Sequence, residues 1–319
     1  VSLQVMTPSA TTRGILALTL GIAIFSVQDV ILKLLSGTYP LYQAMVIRSL
    51  TAVPLLLLIV LWLDRSLATI VSRNWWLMAA RGLLGFVAYT SYYLGLAALP
   101  MADTVALFFT APLFITLAAA LVFRERIGLV TILALLAGFA GMLLIFNPTA
   151  NLFDPAALLP VIGALGYALQ QLAARLLGRT ETAAAMTFWS NVTFLASGLA
   201  LAVLFGSGAY DTAAHPSLAF LTRGWQPLPV RDLVLFMACG VIAAIGLLLL
   251  TYAYRVASSS TVAPFEYSFI IWGVLWGWVF WSELPIATAW IGIALLVAAG
   301  LLVIRDEAQR KKTAPEGAA

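Results

Sequence analysis

The chain has 319 residues, 63% of them hydrophobic and only 9% charged, with a mean hydropathy of +1.02 and a formal net charge of +4. Soluble domains carry about 25% charged residues, so this composition excludes a soluble globular protein and indicates a chain that lies in a bilayer. The positive charge does not indicate nucleic acid, because the basic residues are scattered over short loops. One cysteine and one histidine are too few for a disulfide framework or an ordinary zinc site, so neither a metal nor another cofactor is expected.

Runs of about 20 apolar residues, the length that crosses a hydrocarbon core of about 30 Å, recur along the chain. They predict ten spans, near 14–35, 41–62, 76–98, 103–123, 129–147, 157–177, 183–206, 232–254, 260–281 and 286–304. The predicted fold class is therefore an all-α integral membrane protein with ten transmembrane helices, and membrane lipid is an expected partner.

The positions of lysine and arginine predict the orientation, because short cytoplasmic loops carry the positive excess. Only Lys33, Arg223 and Arg231 fall toward one side, and Arg48 lies inside a span. The basic residues on or near the opposite side are Arg13, Arg65, Arg73, Arg81, Arg124, Arg126, Arg175, Arg179, Arg255, Arg305, Arg310, Lys311 and Lys312. This second side is predicted to be cytoplasmic and to hold both termini, as an even number of spans requires.

The second half of the chain repeats the first. Residues 104–125 return as residues 261–283, at an offset near 160. A second alignment, at a constant offset of 142, pairs Gln28, Asp29, Lys33 and Leu34-Leu35 with Gln170, Gln171, Arg175 and Leu176-Leu177. Five spans per half is an odd number, so the second copy enters the membrane upside down. Two inverted repeats in a hydrophobic chain are typical of transporters.

The repeats predict the domain organisation. A tail at 1–13 precedes the first five-helix repeat at 14–150, and the inverted repeat at 151–305 precedes a cytoplasmic tail at 306–319. The segment 207–231 is the one sizeable external loop, and it is either a lid or a connector.

Four ionisable residues are predicted inside spans, where each costs several kcal/mol unless it is paired or faces water. Asp29 and Lys33 are spaced i,i+4 and can pair on one helix face. An ion pair between Asp29 and Arg48 is also possible, because both lie at a comparable depth from the loop that joins their spans; either pair can serve as a structural tie or as an external gate. Glu266 follows Pro264 in a segment that the proline is expected to kink or unwind. Glu266 is the candidate proton site, and the alternative is a structural acid that is paired with Arg255 or capped by backbone.

Polar and aromatic residues within the spans complete the candidate cavity. Each of them can instead join or pack helices, but the symmetric placement of the glutamines on spans 1 and 6 favours a central site. They are Gln28, Tyr89, Tyr93, Thr110, Gln170, Gln171, Trp189, Asn191, Tyr252 and Tyr267.

No catalytic arrangement is visible in the sequence. There is no nucleophile elbow, no His-Glu-x-x-His and no phosphate loop. An integral membrane enzyme acting on lipid-linked substrates would need a cluster of His, Asp or Glu near one interface, so an enzyme is not expected.

Residues 100–125 and 257–283, each a span that ends in a glutamate, resemble the drug/metabolite transporter superfamily and its ten-span EamA-type branch of bacterial exporters. Pro112 and the Pro264 segment match prolines of that family, and Arg48 matches an arginine common in its second span. Arg124 departs from the family's pattern, because a glycine often precedes the glutamate there.

This resemblance implies two inverted five-helix repeats around a central cavity, with export of small metabolites by alternating access. Within the branch, the chain looks most like the YddG-type exporters of aromatic and other neutral amino acids. Two acids and two bases within the spans also suit zwitterions. Export of a drug or another metabolite is the alternative, and proton-coupled antiport and facilitated diffusion both stay open. The expected location is the bacterial inner membrane, and ten spans can enclose a pathway within a monomer.

Overall fold

The computed structural model describes residues 9–35, 37–99, 101–125, 127–146, 155–211 and 215–281, and most of 290–305. Every regular element in this part of the chain is helical. The helices are α1 (Ala10–Leu35), α2 (Leu41–Leu63), α3 (Trp75–Ala98), α4 (Met101–Phe108), α5 (Ala111–Phe123), α6 (Leu129–Phe146), α7 (Leu158–Leu177), α8 (Ala183–Phe205), α9 (Pro216–Thr222), α10 (Val230–Val256), α11 (Ser259–Val262) and α12 (Phe269–Trp281). Short 3₁₀ turns occupy Leu67–Thr69, Pro155–Ala157 and Ala263–Ser268.

Seven segments in the described part of the chain are long and apolar enough to cross a membrane, and shorter apolar helices lie at Leu129–Leu144 and Trp290–Ala299. The helix α3 has the required length but is not among the seven. The chain is thus a multi-pass membrane protein, as its composition predicts. The count of ten spans stays a prediction, and part of the tenth predicted span lies outside the described residues.

The outer surface of the bundle is apolar, as expected where lipid replaces water. Val203 is 85% exposed and Trp62 is 78% exposed, whereas Gln43, Asn191 and Arg81 are fully buried. A soluble protein rarely exposes such large side chains over whole helices. The polar groups therefore gather inside the bundle.

The main helix contacts cross between the two halves. The most extensive pairs are α3 with α7, α1 with α10 and α2 with α8. These three pairs are symmetric between the halves. If α1 is exchanged with α7, α2 with α8 and α3 with α10, the same three pairs result.

Glycines let the first two pairs approach closely. A Cβ on Gly163 of α7 would lie 3.0 Å from the Ala88 carbonyl oxygen of α3, and a Cβ on Gly21 of α1 would lie 3.1 Å from the Gly246 carbonyl oxygen of α10. Gly21 and Gly163 are themselves 142 residues apart, the offset of the glutamine pair.

Two of the predicted spans are broken helices. The proposed span at 103–123 is not continuous: α4 ends at Phe108 and α5 begins at Ala111, with Pro112 at its start. Proline lacks a backbone N–H and clashes with the preceding turn, so a single helix does not pass through this point. In the second half, the chain is 3₁₀ over Ala263–Ser268, which confirms the irregularity predicted at Pro264.

One end of the bundle joins the halves through Glu125 and is called here the Glu125 end. The Oε2 atom of Glu125 accepts hydrogen bonds from the Ser258 hydroxyl at 2.8 Å, the Ser260 hydroxyl at 2.6 Å and the Ser260 amide at 3.2 Å. The Nε atom of Arg175 lies 3.7 Å from Glu125 Oε1. Nearby, Ser72 and Asn74 donate to the Glu181 carboxylate.

The opposite end is called the Tyr39 end, and there the segment 207–231 packs on the first half. The Tyr39 hydroxyl donates to Asp232 at 2.6 Å. Gln43 donates to the Gln226 carbonyl at 2.8 Å and accepts from the Gln226 amide at 3.0 Å. The Ser217 hydroxyl, in the short helix α9, donates to the Leu94 carbonyl of α3. The segment itself makes three of these four hydrogen bonds, and Asp232 lies just beyond it. Its role as a lid stays a prediction.

Candidate functional site

A cavity of about 200 Å³ lies between the two halves of the bundle. Helices α1, α2, α3, α4, α7, α8, α10 and α12 and the 3₁₀ segment at 263–268 all contribute to its walls. The lining residues are Ile22, Phe25, Gln28, Asp29, Arg48, Gly85, Ala88, Tyr89, Tyr92, Tyr93, Val105, Phe108, Phe109, Tyr167, Gln170, Phe194, Leu247, Leu250, Glu266 and Phe269. Both broken helices reach this cavity, the first through Phe109 and the second through Glu266.

Aromatic rings form a continuous wall along α3. Tyr89 and Tyr93 have ring centroids 4.5 Å apart, and Tyr92 lies 5.1 Å from Tyr93. The wall continues from Tyr92 to Phe108 at 4.8 Å and from Phe108 to Tyr167 at 5.9 Å. The i+3 and i+4 spacing of the three α3 tyrosines places them on one helix face, and this face meets the cavity.

Arg48 lies between two of these rings. Its Cζ atom is 4.8 Å from the centroid of Tyr89 and 4.9 Å from that of Phe194, which are cation–π distances. The side chain is only 3% exposed. Its Nε and Nη1 atoms have no hydrogen-bond partner among the described residues.

Asp29 also lines the cavity but forms no ion pair with Arg48. Its Oδ1 atom accepts a hydrogen bond from the Tyr93 hydroxyl at 2.7 Å, whereas Arg175 and Glu125 make the one ion pair found among the described side chains. The Asp29–Arg48 pair that the sequence allowed is therefore not formed in this structure, because a tyrosine hydroxyl partners the acid and aromatic rings partner the base. The predicted pair with Lys33 cannot be placed, since that side chain lies outside the described residues.

Glu266 is held by two tyrosines. Its Oε1 atom accepts from the Tyr167 hydroxyl of α7 at 2.8 Å and from the Tyr254 hydroxyl of α10 at 2.7 Å. The alternative pairing with Arg255 is excluded, because the Nε atom of Arg255 donates to the Glu181 carbonyl instead. Glu266 is thus a buried cavity acid without a cationic partner among the described residues.

Two amides complete the polar part of the lining. Gln28 is buried, and its Oε1 atom has no described partner. Gln170 lies against Gly85 of α3, where a Cβ would be only 2.2 Å from Gln170 Nε2. Glycine at position 85 therefore makes the space that Gln170 fills.

Six other predicted site residues do not line the cavity. The Trp189 indole donates to the Ile70 carbonyl, and the Thr110 hydroxyl donates to the Leu107 carbonyl at the break before α5. Tyr267 contacts Phe109 and Gly138. Asn191 donates to the Thr187 carbonyl. Gln171 and Tyr252 pack within the bundle and are also not among the residues that line the cavity. Residue type alone does not reveal that these six side chains lie outside the cavity lining.

The sequence interpretation missed Arg81, which was assigned to the cytoplasmic surface. The side chain is fully buried and donates to the Gln170 carbonyl at 3.2 Å, the Ser190 hydroxyl at 2.8 Å and the Thr251 hydroxyl at 2.8 Å. Arg81, Gly85 and Tyr89 are spaced four apart, so helical periodicity places Arg81 on the cavity face. Its position six residues into α3 hid this role, because arginine near a helix end normally reaches the surface.

The described residues contain no group of three or more His, Cys, Asp and Glu that could hold a metal ion. The site consists instead of aromatic surface, two amides, one cation and two hydrogen-bonded acids. Such a lining can stack a flat ring and hydrogen-bond a few polar groups.

Comparison with known proteins identifies the family. The sequence model of the EamA-like transporter family matches residues 12–147. The chain is 32% identical over 249 residues to a riboflavin transporter of Rhizobium johnstonii, a match that covers 77% of this chain and 76% of that protein. The chain belongs to the EamA-like transporter family.

Other family relatives differ in what they carry. The chain is 27% identical to the pseudopaline exporter CntI of Pseudomonas aeruginosa, over 92% of this chain and 96% of that one. It is 23% identical to an S-adenosylmethionine uptake transporter of Rickettsia bellii, over 71% and 72% of the two chains. A crystal structure with 18% sequence identity covers 95% of this chain and 99% of its own, with a TM-score of 0.75. The EamA-like chain is therefore a transporter and not an enzyme.

Proposed function

We propose that this EamA-like chain is a secondary transporter that carries a small metabolite with a planar aromatic part through the cavity between its halves. The observation that carries the proposal is the wall of Tyr89, Tyr92, Tyr93 and Phe108 beside a few polar groups. Aromatic walls bind flat rings through offset or edge-to-face contacts, worth about 0.5–1.5 kcal/mol per pair.

Export of neutral or aromatic amino acids is the first candidate. The cavity offers Arg48 for a carboxylate, and Asp29, Glu266 or Gln28 for an ammonium group. A zwitterion with an apolar ring needs both kinds of partner within one aromatic site. This balance also disfavours a lipophilic cation, for which Arg48 would be repulsive.

Riboflavin is the second candidate. A relative at 32% identity carries that name, as do relatives in Vibrio cholerae and Brucella anthropi at 28% and 26%. A flavin ring system would use the same aromatic wall, and its polar edge would face the amides and Arg48. Export of a drug or of another metabolite is the remaining alternative.

The transport cycle would be alternating access between two inverted five-helix repeats, with ten spans in the bacterial inner membrane. The exchange of helix pairs between the halves and the paired breaks at Pro112 and Pro264 support this proposal. Hydrogen bonds join the halves at the Glu125 end and at the Tyr39 end, and opening either side would break one set. Arginines at the Glu125 end support a cytoplasmic location for it.

Proton coupling is proposed for Glu266, because a buried acid without a cation can take up a proton during the cycle. In Glu266→Gln, the flux should lose its response to a pH gradient while counterflow between equal pH values continues. A pH response equal to that of the unmodified protein would remove Glu266 as the proton site.

Counterflow in proteoliposomes tests the function. Vesicles preloaded with unlabelled tryptophan, phenylalanine, threonine, methionine or riboflavin would be offered the same compound in radiolabelled form, with and without a pH gradient. Exchange of an aromatic compound is expected, and the identity of that compound separates the two candidates. Failure of every aromatic compound with folded protein would contradict the proposal and leave the family assignment in place.

A further inference from the structure

The Arg48 guanidinium is a buried cation, and part of its polar edge has no hydrogen-bond partner among the described residues. Its faces contact Tyr89 and Phe194, but Nε and Nη1 have no hydrogen-bond partner among the described residues. No described carboxylate lies within ion-pair distance of Arg48. A guanidinium carries five donors in one plane, and leaving those of Nε and Nη1 without acceptors away from water is costly.

The neighbouring acids do not satisfy this cation. Asp29 accepts a hydrogen bond from Tyr93, and Glu266 accepts from Tyr167 and Tyr254. Tyr89 and Cys239 are the other titratable groups recorded near Arg48, and neither is a carboxylate that could pair with it. The two flanking rings restrain the guanidinium plane, so its free edge is fixed in a cavity wall before any ligand arrives.

We propose that Arg48 binds a planar group of the substrate that carries two neighbouring acceptor atoms. This group is called here the acceptor edge of the substrate. Paired donors of arginine match such groups bidentately. The carboxylate of an amino acid has this chemistry, and so does the pyrimidine edge of a flavin. Arg48 is thus the specificity-determining residue of the transport site proposed above, and the inference rests on that proposed function.

A second buried polar atom without a partner complements Arg48. Gln28 is 2% exposed, lines the same cavity, and its Oε1 atom has no described hydrogen-bond partner. An acceptor of this kind suits an ammonium group or a ring N–H. Arg48 thus offers hydrogen-bond donors at one place in the cavity, and Gln28 offers an acceptor at another. This arrangement orients a substrate that carries both an acceptor edge and an ammonium group or ring N–H.

Direct binding to purified protein tests the assignment. Affinities for tryptophan, for tryptamine, which lacks the carboxylate, and for riboflavin would be measured on the unmodified chain, Arg48→Gln and Arg48→Lys. In Arg48→Gln, affinity for tryptophan or riboflavin should fall at least about tenfold, the range expected for lost charge-assisted hydrogen bonds. Arg48→Lys should recover only part of the loss, because a lysine lacks the planar fork.

Tryptamine separates the two sources of the acceptor edge. If the ligand is an amino acid, tryptamine should bind the unmodified chain more weakly than tryptophan and lose nothing in Arg48→Gln. If the ligand is a flavin, riboflavin alone should show the tenfold loss. Arg73→Gln is the matched control, because it removes one positive charge at an exposed position and should change none of these affinities.

Two results would overturn the inference without touching the proposed function. One is aromatic binding of equal affinity in Arg48→Gln and the unmodified chain. The other is a fall of more than about 4 °C in the melting temperature of ligand-free Arg48→Gln, roughly 1 kcal/mol or more in a chain of this size, which would show that Arg48 serves the fold. Failure of the unmodified chain to bind any aromatic compound would instead overturn the proposed function, and the inference with it.

Discussion

Arg81 shows how one side chain fixes the centre of this bundle. It joins α3 to the Gln170 carbonyl of α7, to Ser190 of α8 and to Thr251 of α10. All three partners are neutral, so the branched guanidinium holds four helices together through hydrogen bonds in three directions. One of the helices it fixes carries Gln170, whose side chain lines the cavity.

Arg81→Lys should lower the free energy of unfolding by about 2 kcal/mol. A lysine has one ammonium group at one point, so it cannot reach three partners in different directions, and a lost hydrogen bond to a charged group is worth about 1.5–3 kcal/mol. The measurement is thermal unfolding in detergent. Arg73→Lys, at an exposed position, should stay within about 0.5 kcal/mol of the unmodified chain, and an equally small effect of Arg81→Lys would contradict this role of Arg81.

Arg124 occupies a backbone position that favours glycine. It ends α5 in the left-handed conformation, with φ of 53° and ψ of 34°. A residue with a Cβ is strained there, whereas glycine is not.

Arg124→Gly should therefore raise the free energy of unfolding by up to about 1 kcal/mol. Arg124→Ala separates backbone strain from loss of the charge, since it removes the charge and keeps the Cβ. The melting temperatures of both variants give the comparison, and a gain in Arg124→Ala as large as that in Arg124→Gly would assign the effect to the charge.

At the scale of elements, the Glu125 end ties the end of α5 to the start of α11. Burial would raise the pKa of Glu125, but hydrogen bonds from Ser260 and Ser258 and the charge of Arg175 outweigh it and lower the pKa below its usual range. The contact of Glu125 with Ser258, Ser260 and Arg175 thus favours its carboxylate form. A group with a lowered pKa stabilises the folded state above the pKa of the unfolded chain, and this contribution disappears as the pH falls through the folded pKa.

Glu125→Gln should consequently melt at a lower temperature than the unmodified chain at pH 7. The difference should shrink once the pH falls below the ordinary value of a glutamate, about 4.3, because the native carboxylate is then protonated too. Melting curves between pH 7 and pH 3.5 provide the measurement. A difference that stays constant across this range would show that the charge of Glu125 does not act in the contact.

At the scale of the whole molecule, the two ends predict which side faces the cytoplasm. Arg65, Arg73, Arg179 and Arg255 lie in or beside connections at the Glu125 end. The Tyr39 end holds the segment 207–231. Positive loops are retained in the cytoplasm, so the Glu125 end should face inward.

Cysteine labelling tests this orientation. Cys239 is the only cysteine in the sequence and is buried, so Cys239→Ser gives a background without a reactive thiol. In that background, Ala209→Cys at the Tyr39 end should react with a membrane-impermeant maleimide in intact cells. Arg73→Cys should react only after the membrane is permeabilised, and the reverse pattern would invert the proposed topology.

The sequence by itself determined the environment, the helical class and the family of this protein. Hydropathy and helix length act locally, so the spans formed by α1, α2, α7, α8 and α10 follow from composition within a few residues. Pro264 also predicted the irregular segment around it, because a missing N–H weakens a helix wherever it lies.

Only the tertiary structure decided which polar residues meet. Asp29, Arg48, Glu266, Gln28 and Gln170 all reach the cavity, but the partners of the charged groups are rings and tyrosine hydroxyls from other helices. Trp189 and Asn191 also lie within a predicted span, yet Trp189 donates to the Ile70 carbonyl and Asn191 to the Thr187 carbonyl of its own helix, outside the cavity lining. Arg81 lies near a helix end and still points inward. Rotation of each helix about its axis depends on packing across the bundle, and that packing is not encoded in any single span.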